Sequence, residues 1–315
     1  MGADHKTPGK ITAKGILWAK MLRAAFFPLS LFPVGMGAVT AAAAGEVSPC
    51  RFFLVVLGVL CYHAGANVFN DFYDEVSGND RLNTYHSPYS GGGRLLQKGQ
   101  VSLLALRRAA VLLYVAGSTA FLGLAVTGGG WGVPALGAAG LFGGFFYSAP
   151  PLQLAGRGWG EAVIGLCFGP LLVSGTELAL TGSLPLRTIL LSLPFGFLIA
   201  AVILINEFPD LEADRLTGKF TLVVRMGRRR SMNLFGLLLF SAFFFIIANI
   251  LLFRLPFAWL SLLALPVAFR AYLLGRKFYK DPRRILPACA ATIKTHFFTS
   301  LLLVLSVWLG NRGGM

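Results

Sequence analysis

Nine stretches of about 20 predominantly apolar residues recur along the chain, starting near residues 15, 51, 104, 130, 159, 186, 231, 256 and 285. Each is long enough to cross a hydrocarbon core about 30 Å thick as a helix. The pattern therefore predicts an all-α polytopic membrane protein with nine transmembrane helices. Pro28 and Pro33 interrupt the first stretch, which lacks the small-residue cleavage pattern of a secretion signal. It is expected to remain in the mature protein as a kinked helix. Residues 1–14 are expected to form a cytoplasmic tail, and 15–315 a single transmembrane domain.

The polar positions are as unevenly placed as the apolar ones. Eight of the thirteen acidic residues fall in two short windows, Asp71, Asp74, Glu75 and Asp80, then Glu207, Asp210, Glu212 and Asp214. Each window closes a long apolar stretch. The first reads Asn70-Asp71-Phe72-Tyr73-Asp74 and the second Asn206-Glu207-Phe208-Pro209-Asp210, and each runs on to Asp-Arg-Leu, at 80–82 and 214–216. This is an internal repeat at a spacing of 136 residues. Both copies end an even-numbered helix, so the halves have the same orientation, as in folds with a pseudo-axis along the membrane normal. Two four-helix halves plus a ninth helix are expected.

At 3.6 residues per turn, Asn70 and Asp74 share one helix face, as do Asn206, Asp210 and Asp214. Gly78 permits a turn that returns Asp80 to the same point. Two bundles facing one another would gather these carboxylates into a cluster whose repulsion calls for a cation. Oxygen donors without nearby His or Cys favour Mg²⁺, which completes its shell with waters and phosphate oxygens, so a diphosphate is the natural second partner. The loops supply matching cations. Ser90-Gly91-Gly92-Gly93 followed by Arg94 and Lys98 offers backbone N–H groups and two basic side chains, and Gly218-Lys219 opens the segment after the second motif. Asp71, Glu75, Glu207 and Glu212 lie off the shared faces. His63, among apolar neighbours, reads as a packed core group.

Composition agrees with a lipid environment: 56% of residues are hydrophobic and 13% charged. The net charge of +15 would suggest nucleic acid, but its distribution gives another answer. Lys and Arg crowd the N-terminus and the 2–3, 4–5, 6–7 and 8–9 connections, against Arg51, Arg187, Arg254 and Arg312 on the other side. That asymmetry places the N-terminus and both acidic motifs in the cytoplasm and the C-terminus outside, with no nucleic-acid partner. Arg228, Arg229 and Arg230 read as topology anchors. Cys50, Cys61, Cys167 and Cys289 are widely separated with no CxxC pair, so they read as packing residues.

The two Asn- and Asp-rich motifs at the ends of helices 2 and 6 make the chain similar to the UbiA-type superfamily of intramembrane prenyltransferases. Nearly the whole length takes part. NDFYDEVSGND, with acids four and ten places after Asn70, resembles the 1,4-dihydroxy-2-naphthoate prenyltransferases of menaquinone synthesis, as does SPYSGGGRLLQKGQVS (87–102). YSAPP (147–151) and GKFTLVVRMG (218–227) resemble further family stretches. Pro209 stands where the naphthoate enzymes commonly carry Arg.

The resemblance implies that Asn70, Asp74, Asp80, Asn206, Asp210 and Asp214 hold Mg²⁺ and diphosphate, with Asp71 a further metal candidate. Arg94, Lys98 and Lys219 would bind phosphate, and Tyr147 would lie near the allylic or aromatic substrate. The expected reaction is Mg²⁺-dependent transfer of a polyprenyl group from its diphosphate to an aromatic acceptor, in a bacterial-type inner membrane. Phe26, Phe27, Phe72 and Phe145 are candidate walls for the isoprenoid. The acceptor reading points first to 1,4-dihydroxy-2-naphthoate, with 4-hydroxybenzoate, homogentisate or a tetrapyrrole as alternatives. A secondary transporter is the rival of another class, and it predicts acids near the bilayer midplane.

Overall fold

The first apolar stretch breaks in two. Helix α1 (Lys10–Met21) ends before Arg23, whose left-handed backbone (φ 52°) turns the chain. A short tight turn then leads into α2 (Pro28–Ala44). Pro28 sits at the first helical position, where a missing N–H costs nothing, so only Pro33 lies inside the helix. The chain continues through α3 (Pro49–Val76), the single turn α4 (Asn79–Leu82), α5 (Leu103–Leu124) and α6 (Gly132–Phe146). Next, α7 (Gly160–Leu166) and α8 (Leu172–Thr181) are joined by a widened turn at 167–171 that contains Pro170. Then come α9 (Leu186–Leu216), α10 (Leu222–Phe253), α11 (Leu265–Phe278) and α12 (Leu286–Gly313).

This computed structural model describes residues 10–45, 47–85 and 94–313. Lys6 and Ser87–Gly93, including the glycine run Gly91–Gly93, fall outside the described residues. Among those described there is no strand, and eight helical segments are long and apolar enough to cross a membrane. The fourth apolar stretch differs from expectation: α6 has 15 residues, about 22 Å at 1.5 Å per residue, short of a hydrocarbon core of roughly 30 Å. Its outer side carries the exposed Phe142, and Trp131, exposed, precedes it at the end where such rings anchor helices. The seventh segment begins at Leu222 rather than near 231, so Arg225 and Arg228 to Arg230 belong to α10 and not to a loop. Gly227 (φ 74°, ψ 156°) breaks that helix between them.

Side-chain caps define the starts of α3 and α5: Ser48 accepts from the N–H of Arg51, and Ser102 from that of Ala105. The repeat is visible in the packing, because α3 lies along α5 in the first half as α9 lies along α10 in the second. Helix α9 is apolar around its whole circumference and is the central element. Leu198, Leu204, Ile205 and Phe208 meet Met232 and Phe235 of α10, and Ala288 and Cys289 of α12. With 28 and 31 residues, α3 and α9 span about 42 and 46 Å, overrunning the hydrocarbon core. Both acidic motifs begin on the last turns of these helices, and Asp80 follows on α4.

Candidate active site

The C-terminal ends of α3 and α9 face each other across a polar cavity of about 110 Å³. Asn70 and Asp74 line it from α3; Asn206, Glu207, Asp210 and Asp214 line it from α9. After α3, Gly78 adopts a left-handed conformation (φ 79°) and starts α4, which brings Asp80 to the same cavity. Asn79 and Asn83 then lace the two repeats together. Asn79 Nδ2 donates to Asp214 at 2.8 Å and to Thr217 Oγ1 at 3.0 Å, and Asn83 Nδ2 donates to Asp210 at 2.8 Å. Lys219 Nζ donates to Asp74 at 2.8 Å and lies 3.9 Å from Asp214, so one ammonium bridges acids from both halves. Burial works against its charge, but Asp74 and Asp214 outweigh that and lift it above its ordinary range.

The acids off the shared faces are used differently. Asp71 does not line the cavity; it forms an ion pair with Arg23, whose guanidinium also donates to Asn70 Oδ1 at 3.3 Å. Glu75 pairs with Arg81 and accepts from Gln97, and Glu212 pairs with Arg228. Glu207 does line the cavity, and it accepts from the N–H of Val223 at the start of α10 at 3.3 Å. That contact fixes the segment carrying Lys219. Behind it stands Glu161 of α7, buried beside Glu207. Arg94 reaches the carbonyl of Asp80 at 3.5 Å, and Lys98 is exposed on the surface; neither lines the cavity.

Deeper in the bundle lies a second, mostly apolar cavity of about 230 Å³, walled by α2, α3, α6, the 167–171 turn and α9. Arg23, Asn70, Tyr147, Ile203 and Asn206 line both cavities and form the junction between them. Ser148, next to Tyr147, accepts from Asn70 Nδ2 at 3.1 Å, which ties the YSAPP segment to the first motif. Burial, then the charges of Glu207 and Glu161, raise the Tyr147 phenol above its ordinary range, so it is neutral. Of the four aromatic wall candidates, Phe26 lines the apolar cavity. Phe72 and Phe145 pack instead with Phe69 and Tyr114, and Phe27 lies against His63. His63 itself is not sealed in a core; it lines the apolar cavity.

Sequence reasoning did not single out Arg23, Asn79 or Asn83 for the site. For the asparagines a signal exists, because they are four residues apart and flank Asp80, repeating the Asn-to-Asp spacing of each motif. Arg23 carries none, since its place depends on the turn after α1. Among the described residues no three carboxylate, imidazole or thiol groups close on one point as a metal cage. The candidate donors are oxygen-only and lie on opposite walls, and Asn206 Oδ1 is buried there with no hydrogen-bond partner among the described residues. This donor set fits a hard divalent cation that takes the rest of its shell from water and substrate oxygens.

The sequence pattern of the UbiA prenyltransferase family matches residues 30–302. The 1,4-dihydroxy-2-naphthoate octaprenyltransferase of Bacillus subtilis is 25% identical over 304 residues, covering 96% of this chain and 95% of its own. The Escherichia coli protein of the same name is 28% identical over 305 residues, covering 93% and 96%. Among solved structures, a UbiA homolog from Archaeoglobus fulgidus bound to GPP and Mg²⁺ matches with a TM-score of 0.63 at 14% identity, over 91% of this chain and 99% of that one. The apo UbiA homolog from Aeropyrum pernix K1 gives 0.65 at 17% identity, over 90% and 98%. At such identities these structures bear on the fold alone.

Proposed function

The chain belongs to the UbiA prenyltransferase family, and on that premise we propose that it moves a polyprenyl group from an allylic diphosphate to 1,4-dihydroxy-2-naphthoate, with Mg²⁺ as cofactor. The observation that carries this reading is the pairing of cavities. A small polar one, lined by acids from both repeats and by Lys219, opens through Tyr147, Asn70 and Asn206 into a larger apolar one. A diphosphate with a hydrocarbon tail has that division of polarity. The similarity to naphthoate octaprenyltransferases supports the acceptor.

In this reading Asp74, Asp80, Asp210 and Asp214 hold the metal, and Asn70 and Asn206 orient the diphosphate. Asp71 acts through Arg23 rather than as a direct ligand, and Arg94 and Lys98 contribute positive charge at the surface. Mg²⁺, when bound, would supply positive charge to the diphosphate oxygens as they take up the C–O bonding pair. Lys219 and Arg23 stabilise the same leaving group from the protein. Tyr147, neutral and at the junction, faces the allylic carbon with a ring rather than a nucleophile. The apolar walls exclude the water that would quench an allylic cation. The ring carbon bearing the carboxyl group then attacks, and loss of CO₂ restores aromaticity.

The same reading puts the polar cavity on the cytoplasmic side, because Arg81, Arg215, Lys219, Arg225 and Arg228 to Arg230 surround the motif-bearing ends. The test is incubation of detergent-solubilised protein with a polyprenyl diphosphate and 1,4-dihydroxy-2-naphthoate, with and without Mg²⁺, followed by mass spectrometry. Prenylated naphthoate should form only with Mg²⁺, and Asp74→Ala and Asp210→Ala should each lower kcat/KM by about 100-fold or more. Diphosphate release without that product would discard the acceptor and keep the ionisation site. Failure with every aromatic acceptor would favour transport.

A further inference from the structure

The wall of the apolar cavity contains one polar device that the steps above leave unused. Ser30 Oγ of α2 and His63 Nδ1 of α3 lie 2.6 Å apart. The imidazole is flanked by Phe27 and Phe168, with ring centroids at 5.5 and 5.2 Å. Contacts from the start of α2 and from the 167–171 turn therefore fix both the position and the tilt of the ring. Its other nitrogen, Nε2, has no hydrogen-bond partner among the described residues, and the ring lines the cavity. His296 makes the contrast: its Nε2 is also unpaired among the described residues but is sealed in the protein.

We propose that His63, anchored by Ser30, recognises a ring hydroxyl of the aromatic acceptor and so sets acceptor specificity. The proposal rests on the prenyltransferase reading above. Three considerations point to a hydroxyl. A hydrocarbon tail laid over Nε2 would leave a polar atom unpaired, at a cost of about 1–3 kcal/mol. Whether Ser30 donates to Nδ1 or accepts from it, Nε2 presents either an N–H or a lone pair, and a phenolic hydroxyl satisfies both. The depth also fits. His63, Asn67, Asn70 and Asp74 follow one another at spacings of four, three and four along a single face of α3. His63 therefore lies roughly 10 Å further into the membrane than Asn70. A diphosphate held at Asn70 places the allylic carbon first, the reacting ring carbon next, and the hydroxyl across the ring deepest. For 1,4-dihydroxy-2-naphthoate that deepest group is the 4-hydroxyl.

The experiment compares wild type with His63→Phe, His63→Gln and Ser30→Ala, using geranylgeranyl diphosphate with either 1,4-dihydroxy-2-naphthoate or 1-hydroxy-2-naphthoate, which lacks the 4-hydroxyl. His63→Phe should raise the KM for the dihydroxy acceptor about tenfold, the worth of one hydrogen bond, with the KM for the diphosphate unchanged. Wild type should lose about the same factor when the 4-hydroxyl is absent, whereas His63→Phe should treat the two naphthoates alike. His63→Gln, which keeps a polar tip, should retain part of the discrimination and serves as the control if the Phe variant folds poorly; Ser30→Ala should lose part of it. An equal penalty for the missing hydroxyl in wild type and His63→Phe would overturn the proposal, as would a rise confined to the diphosphate KM. Wild type that prenylates neither naphthoate would instead remove the functional reading on which it stands.

Discussion

Asp80, on the turn between α3 and α5, is a carboxyl whose protonation the fold shifts into a measurable window. Burial pushes its carboxyl from an ordinary 3.8 up to about 7; the charges of Asp74 and Asp71 add to the shift, and Arg23 and Lys219 oppose it. Such a carboxyl holds more proton folded than unfolded between those values, so metal-free protein loses stability as pH rises from about 4 to about 7. Asp80→Asn should therefore melt several degrees above wild type at pH 8 without Mg²⁺ and level with it near pH 4, as scanning fluorimetry would report. A gap independent of pH would mean that the charge is relieved elsewhere. At this scale the sequence was partly legible. Asn70, Asp74, Asn206, Asp210 and Asp214 declare themselves by spacing and repetition, because helix geometry alone puts them on one face. Arg23 does not, since it enters the site through a left-handed turn forty-seven residues before Asn70.

Among elements, the long apolar runs announced α3, α5, α9, α10 and α12, and the acids marked where α3 and α9 end. The starts of α2 and α10 differ from expectation for different reasons: the left-handed turn at Arg23 splits the first apolar stretch, whereas Arg225 and Arg228 to Arg230 look like loop yet lie on the first turns of α10. The break at Gly227 has φ and ψ that only glycine adopts readily. Gly227→Ala should cost on the order of 1–3 kcal/mol and disturb the first turn of α10. The N–H of Val223 in that turn is held by Glu207 close to Lys219. The expected result is a lower melting temperature together with a raised KM for the diphosphate, measured on the same preparation. A change in melting temperature alone would confine the effect of the break to packing.

For the whole molecule, the duplicated motifs predicted two halves with the same orientation, and the matching α3–α5 and α9–α10 pairs display it. The two joined cavities were not legible, because they arise from side chains of many separate segments that meet around Arg23, Asn70, Tyr147 and Asn206. Orientation in the membrane gives a direct test. In a chain with its native cysteines replaced, Lys280→Cys should react with a membrane-impermeant thiol reagent only in inside-out vesicles, and Arg187→Cys only in right-side-out ones; the reverse pattern would invert the assigned topology. One feature of the bundle reaches beyond the protein itself. Because α6 is shorter than a hydrocarbon core of roughly 30 Å, lipid that thins to match it would dimple, with acyl chains splayed or compressed, at a fraction of a kcal/mol for each Å of mismatch. Two molecules that turn their α6 flanks together share one dimple instead of making two. Such a dimple would let the bilayer itself draw two copies together, the more so in a thicker membrane.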